Sequence, residues 1–369
     1  MNRTVLKMKS KVKRSLHSMP FLMSIVRKIR KFKEGLTIRR LNRRYRNTIA
    51  PLYDENVLAK RISEVDFACK TPDKATFFIV SQSNETVGIF GYINVFLPHI
   101  AYAVAKGWIP VIDMESHRYI YTPKGKKKNV WEMFFEQPCG FGLKDLSGKK
   151  TIRCAEELWY HGMPNTCPLM SEQDIRLWSE LFSHFIRPNA ESLRYLEEEE
   201  RAVLKDPNKT VGVIYRGTTY TKGQAKGHPI QPTMKMLAEQ VRKTMNSQNC
   251  EWVYLASDEK SIVDYMVKAF PGKVLINKRV YYDEVENVDY SEYNESGTDI
   301  TGDMFDRPDN NYLIGIEYIS SINLVANCVA LVAGACGGTT AALYMNGRRY
   351  RERYIFELGK YGIDPVPED

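Results

Sequence analysis

With 369 residues the chain exceeds the size at which one hydrophobic core usually stops growing, so two domains are expected. A composition of 43% hydrophobic and 26% charged residues excludes a mostly disordered protein, and the 23 Gly and 17 Pro show no period that would mark a collagen-like or low-complexity chain. The formal charge of +9 is one-sided: residues 1–50 hold 16 Lys/Arg against a single acid, Glu34, while the remainder carries 37 basic and 43 acidic side chains. The basic excess is therefore an arm on a mildly acidic body, and no nucleic-acid partner is expected.

Within the arm, Val5, Met8, Val12, Leu16 and Met19 form one apolar helical stripe. After Pro20, a second is formed by Leu22, Ile25, Ile29, Phe32 and Leu36. A cationic helix with an apolar face suits an anionic membrane surface. The competing reading is a helix docked on its own body or on a partner, with nucleic acid as a third. Two uncharged stretches, Thr86–Ala105 and Tyr318–Gly347, are broken by Gly, Asn and Pro and read as buried segments rather than spans. The apolar run Pro20–Val26 is short and followed by more Arg and Lys, unlike a signal peptide. Seven scattered cysteines without a CxxC read as reduced thiols. The expected location is cytoplasmic, with the arm as a peripheral attachment to the inner face of the membrane.

The body begins with a strand over Ala75–Ser81, a long loop containing Gly88 and Gly91, a helix over Ile93–Lys106 and a strand over Trp108–Met114. A β-loop-α-β unit of this crossover length implies a parallel sheet, and its loop leaves the carboxyl end of a strand, where ligands of open α/β sheets sit. Taken alone, those glycines serve a turn equally well, and they do not complete a dinucleotide fingerprint. Residues 115–170 read as irregular. Ser171–Lys205 reads as helix broken at Pro188, and Asp206-Pro-Asn-Lys as a linker.

A second unit starts with the strand Thr210–Arg216, which delivers Arg216 to a Gly/Thr-rich loop. A guanidinium there suits a phosphate oxygen; the alternative is an interdomain ion pair. Next come a helix over Met234–Gln248 and a strand over Glu251–Ser257, with Asp258 at its end. Asp258 either caps the helix starting near Ser261 or holds a ligand hydroxyl. A helix within Asp309–Asn327 and a strand over Val329–Ala333 lead to Cys336-Gly-Gly-Thr-Thr340 and a helix over Ala341–Met345. Glycines and hydroxyls at a helix start offer free N–H groups to an anion. No Asp-X-Asp, HExxH or GxSxG motif occurs, so neither a metal nor another cofactor is expected.

Tyr215-Arg-Gly-Thr218, His228-Pro-Ile-Gln, Tyr254-Leu-Ala-Ser-Asp-Glu and Ala333-Gly-Ala-Cys-Gly-Gly-Thr, in this order and spacing, resemble the donor half of the fucosyltransferase superfamily: the α1,6-, nodulation and protein O-fucosyltransferases. Gly88–Asn94 is similar to that superfamily's N-terminal Gly loop. The resemblance covers about residues 75–347. It implies an α/β, GT-B-like fold of two Rossmann-like domains whose parallel sheets face a cleft. It also implies inverting, metal-independent transfer from a nucleotide-diphosphate sugar, usually GDP-fucose. Arg216 would then bind the β-phosphate and the Cys336–Thr340 turn (Cys336, Gly337, Gly338, Thr339, Thr340) the same group. Asp258 would support the donor pocket or the Arg loop, and Thr218 would lie beside the donor. The sequence departs from the pattern at Ile214, where the family has a guanine-binding His, and at Gly217, where it has a second arginine. It departs also at Thr219, at Gln224, where the α1,6 enzymes have their proposed base, and at Ser321, where a late donor carboxylate falls with Glu317 one turn away. His228, Glu85 and Asp113 remain as candidate bases, and Gly88, Gly91, Asn94 and Asp113 as cleft or acceptor-loop residues.

The expected organisation is an arm (1–50), an acceptor-side domain (51–205), a donor domain (206–350) and a C-terminal tail (351–369). The expected activity is transfer of a sugar to a glycan or lipid-linked glycan in surface polysaccharide or glycoconjugate synthesis. Loss of the family carboxylate at Gln224 supports a rival reading, a catalytically degenerate module that binds a nucleotide or glycan.

Overall fold

The computed structural model describes residues 39–83, 87–123, 125, 127–154, 163–164, 170–217, 220–284 and 305–367. Both stripes of the arm lie outside these. The chain divides between Thr48 and Ile49; the fold described below is that of the larger part, from Ile49 onward.

Helix α1 (Glu55–Lys70) is capped by Asp54, whose carboxylate accepts from the amides of Asn56 and Val57. It leads to β1 (Thr76–Val80), buried along its length, and then to α2 (Ile89–Ala105) and β2 (Ile109–Ile112). Helix α2 is apolar almost all round, as only a helix enclosed on every side can be. β1 pairs in parallel with β2 on one side and with β3 (Lys150–Arg153) on the other. Two amphipathic helices follow, α3 (Glu172–Phe185) and α4 (Ala190–Val203), separated at Pro188 as expected.

The second sheet is built from β4 (Thr210–Tyr215), β5 (Trp252–Ser257), β6 (Val274–Leu275), β7 (Ala330–Gly334) and β8 (Glu352–Phe356). Its order is β6-β5-β4-β7-β8, parallel throughout. Succession therefore runs outward from β4 to one side, then reverses to β7 and β8 on the other. Alternation along β4 divides the two faces. Val211, Val213 and Tyr215 join a core with Leu237, Val241 and Met245 of α5 (Met234–Ser247) and with Ile262 and Met266 of α6 (Lys260–Ala269). The intervening Gly212 faces α7 (Asn310–Ala326), so closely that a Cβ would meet Val325 Cγ1 at 3.0 Å. Helix α8 (Gly337–Asn346) packs against α7, α3 and α2. Both sheets are thus the parallel α/β sheets expected.

Four elements differ from expectation. Helix α2 begins at Ile89, four residues early, so Gly91 of the expected loop lies inside it. β3 lies in the stretch read as irregular; it is an exposed edge strand, Lys-Thr-Ile-Arg, with no apolar run to announce it. β8 lies inside the expected tail, as the outer strand beside β7. Helix α8 begins at Gly337, four residues early, so the Gly-Gly-Thr-Thr run is its first turn. Among the described residues no helix is long and apolar enough to cross a membrane, and six described cysteines are free thiols.

A helix-interior glycine normally gains about 1 kcal/mol when replaced by alanine. Gly315 in α7 should do the reverse, because its Cβ would lie 2.3 Å from Cζ of the fully buried Phe134. Gly315→Ala is expected to destabilise the fold by about 1–3 kcal/mol, the usual cost of overpacking a core, measured by urea unfolding.

Candidate active site

β4 ends at Tyr215, and the next side chain, Arg216, emerges at the carboxyl edge of the sheet beside the end of β5. There the Asp258 carboxylate, 2% exposed, accepts from the Arg216 guanidinium through Oδ2 and from the Gly217 amide through Oδ1 at 2.9 Å. Burial opposes charge on Arg216, but the Asp258 carboxylate outweighs it and holds the guanidinium more firmly protonated than usual. Gly217 has to be glycine: a Cβ would overlap the buried Glu259 side chain at 2.4 Å. Helix α6 is not capped by Asp258. The amides of Lys260 and Ser261 go instead to Asp283, at 2.6 and 2.9 Å. The capping role expected for Asp258 thus falls to a carboxylate 25 residues further on, leaving Asp258 to the arginine loop.

β7 lies beside β4, Ala333 opposite Ile214, so the turn after β7 emerges at the same edge. Gln231 ties the two together. Its Oε1 accepts from the Arg216 amide at 3.4 Å, and its Nε2 donates to the Ala335 carbonyl at 3.0 Å. Gly334 is forced here too, since a Cβ would strike Gln231 Oε1 at 2.0 Å. In the turn, Thr339 Oγ1 donates to the Gly334 carbonyl at 2.6 Å, and Thr340 Oγ1 contacts the Cys336 carbonyl at 3.4 Å. The hydroxyls therefore hold the turn in shape, and the first amides of α8 are the kind of helix-start donors that can meet an anion.

Arg216, Asp258, Ser321 and Cys336 line one cavity together with Tyr318 and Arg279. Its volume of about 20 Å³ is that of a single oxygen ligand rather than of a whole nucleotide. Tyr318 borders Gly338, where a Cβ would approach its hydroxyl to 2.8 Å, and Gly88, where a Cβ would lie 3.5 Å from its Cε1; its ring meets Phe90 edge-on at 5.2 Å. A second cavity of about 190 Å³ lies between α8 and β8; Thr339 and Thr340 line it, and Cys336 lines both cavities.

His228 follows the arginine loop. The segment 357–367, expected as tail, pins it: the Tyr361 amide donates to the His228 carbonyl at 2.9 Å and the Ile230 amide to the Gly359 carbonyl at 3.0 Å. Tyr220 separates the two candidate groups, 5.1 Å from the His228 ring and 6.0 Å from the Arg216 guanidinium carbon. Nδ1 of His228 is buried and unpaired among the described residues. Burial, and then the charge of Arg216, holds the imidazole below its usual range, so it is neutral at pH 7.

The other expected residues are placed as follows. Asn94 is on α2, where its Nδ2 donates to the Gly337 carbonyl at 3.1 Å and its Oδ1 accepts from Tyr344 at 3.0 Å. It thus braces the turn from the first α/β unit. Gly88 caps α2, and Gly91 lies one turn in, against Val87. Asp113, buried at the end of β2, accepts from the amides of Glu115 and Ser116, the Ser116 hydroxyl and Arg153. Burial would raise its carboxyl, but these donors prevail and hold it below the usual range. Glu317 forms a two-pronged pair with Arg307 at 2.8 and 2.9 Å. Ser321 donates to the Glu317 carbonyl at 2.8 Å. Gln224 is exposed, with φ 45°. Glu85 and Thr218 lie outside the described residues. Sequence reading missed Tyr318 and Arg279. Tyr318 follows Glu317 in an apolar helix with nothing to mark it, and Arg279 occupies an aperiodic connection.

No protein-family model and no curated protein matches the chain. Several solved structures are similar to the chain at low identity. NodZ alpha-1,6-fucosyltransferase soaked with GDP-fucose matches with a TM-score of 0.47 at 14% identity, over 80% of this chain and 100% of that one. Fucosyltransferase NodZ from Bradyrhizobium gives 0.44 at 14%, over 73% and 92%. POFUT1 in complex with GDP-fucose gives 0.41 at 11%, over 77% and 98%.

Removing the Asp258 carboxylate strands both the guanidinium and the Gly217 amide. Asp258→Ala should destabilise by about 1–3 kcal/mol, short of the cost of orphaning a wholly buried charge because Arg216 is 30% exposed. Asp258→Asn keeps an acceptor for Gly217 and should lose less. Urea unfolding of the two variants checks the order.

Proposed function

We propose that the chain is a metal-independent, inverting, fucosyltransferase-like glycosyltransferase. It moves a sugar from a nucleotide-diphosphate donor, GDP-fucose favoured, to a hydroxyl of a glycan or lipid-linked glycan in surface polysaccharide or glycoconjugate synthesis. One observation carries this reading. Arg216 after β4 and Cys336, the first residue of the turn after β7, line one cavity at the point where strand order reverses, the usual ligand crevice of an open α/β sheet. The sequence motifs at those positions, resembling the donor half of the fucosyltransferases, supply the substrate class. Residues 206–350 with β8 would hold the donor and residues 51–205 the acceptor, while the basic arm keeps the enzyme at an anionic membrane surface.

In the reaction the acceptor oxygen attacks the anomeric carbon as the bond from that carbon to the diphosphate oxygen breaks. Negative charge grows on the phosphate oxygens, where Arg216 and the first amides of α8 meet it. The acceptor proton passes to a base, and His228 is the candidate whose environment fits: neutral at pH 7, beside Tyr220, with Nδ1 free among the described residues. Asp113 is engaged by four donors and is the weaker candidate.

Arg216→Ala should lower sugar transfer about 10²–10³-fold, the usual cost of one lost anion donor, with GDP release as the readout. For His228, activity should fall as pH drops through an imidazole pKa lying below 6.5, and this acidic limb should be absent in a severely slowed His228→Gln. Gln224, which cannot accept a proton, favours the second reading, a binding module. Nucleotide binding without turnover of any nucleotide sugar would support it, and turnover would reject it. If no nucleoside diphosphate raises the Tm of the wild type, the donor assignment itself fails.

A further inference from the structure

Among the described residues two cations line the cavity, Arg216 and Arg279, and only the first is paired with a carboxylate; two cations elsewhere on the neighbouring segments are paired as well. Arg216 is held by Asp258, Lys222 lies 3.5 Å from Glu259, and Arg307 is paired with Glu317. Each pair is close to neutral as a unit, so Arg216 brings direction and hydrogen bonds to the site but little net charge. Arg279 lines the same cavity as Arg216 and Cys336, and among the described residues no carboxylate pairs with it. Its Nε is buried with no hydrogen-bond partner among the described residues.

Arg279 is firmly placed. Two residues earlier, Asn277 Oδ1 accepts from Tyr254 at 2.9 Å and from Ser321 at 3.1 Å, while Nδ2 donates to the Glu317 carbonyl at 3.2 Å. These bonds tie the connection after β6 to β5 and α7 and turn it toward the cavity. A buried guanidinium nitrogen without an acceptor is costly to maintain, and here it belongs to a side chain that lines a cavity, where a ligand oxygen would satisfy it. A nucleoside diphosphate carries more than one negative charge, and the paired arginine cannot balance it alone.

We propose that Arg279 is a second anion-binding arginine of this site, supplying the uncompensated positive charge for the diphosphate of the donor. The proposal rests on the donor reading above. Arg216, locked by Asp258, then sets the orientation of the phosphate, and Arg279 sets the strength with which it is held.

Titration calorimetry on the full chain tests this, using the tightest of GDP, UDP, CDP, ADP and dTDP, and inorganic pyrophosphate as a probe without a base. Arg279→Gln should weaken both about 10–100-fold, the effect of one lost charged hydrogen-bond donor, and should flatten the salt dependence of binding. Arg279→Lys should recover part of the loss. Lys278→Gln, one residue away and exposed, should bind like the wild type. The Tm of ligand-free Arg279→Gln should equal or exceed that of the wild type, because a buried Nε without a hydrogen-bond partner among the described residues is removed. Wild-type affinity in Arg279→Gln overturns the proposal. So does a lowered ligand-free Tm with unchanged affinity, which would mark a structural ion pair. A wild type that binds none of the probes, pyrophosphate included, overturns the donor reading instead.

Discussion

The bond between Asp258 and the arginine loop sets the geometry of the candidate site. One buried carboxylate at the end of β5 takes the guanidinium of the residue after β4 and the amide of the residue after that. Two donors on consecutive residues fix the chain direction where it leaves the sheet. That fixed exit creates the other requirements. Residue 217 passes over Glu259 with no space for a Cβ, and the Arg216 amide meets the Gln231 side chain that reaches across to Ala335. A charged hydrogen bond in a low-dielectric edge is stronger than one in water, and here it holds backbone as well as side chain.

Strand order decides what this exit faces. In a sheet that runs β6-β5-β4 in one direction and β7-β8 in the other, the connections after β4 and β7 leave toward opposite sides of a shared crevice. The arginine and the Gly-Gly turn are about 120 residues apart in sequence, yet lie on neighbouring strands in register, Ile214 beside Ala333. The turn is braced from the first α/β unit through Asn94 on α2, so that unit reaches the site through a helix. The end of the chain adds the last constraint, returning after β8 to pin the His228 segment.

Charge around the cavity is distributed economically. Carboxylates accompany Arg216, Lys222 and Arg307, which stabilises the ligand-free protein but leaves little net attraction for an anion. Under the proposed donor reading a cation kept out of such pairs would supply that attraction, and Arg279 is so placed among the described residues. The two arginines of the cavity are reached from different strands, Arg216 after β4 and Arg279 after β6.

Much of the fold was legible from sequence because it rests on local patterns. β1, β2, β4, β5 and β7 are apolar runs bounded by polar or Gly-rich loops, and all formed within a residue or two of expectation. Arg216, Asp258 and Cys336–Thr340 could be picked out because a charged or Gly-rich stretch directly after a buried strand is locally unusual. β3 and β8 were not legible, since edge strands bury too little to carry a hydrophobic signature. Tertiary structure alone decided that Asp258 holds the arginine loop while Asp283 caps the helix, that the threonine hydroxyls turn inward, and that Tyr318 and Arg279 reach the cavity. Each of these depends on which strand ends are neighbours, and strand order is set by long-range packing that no local stretch of residues encodes.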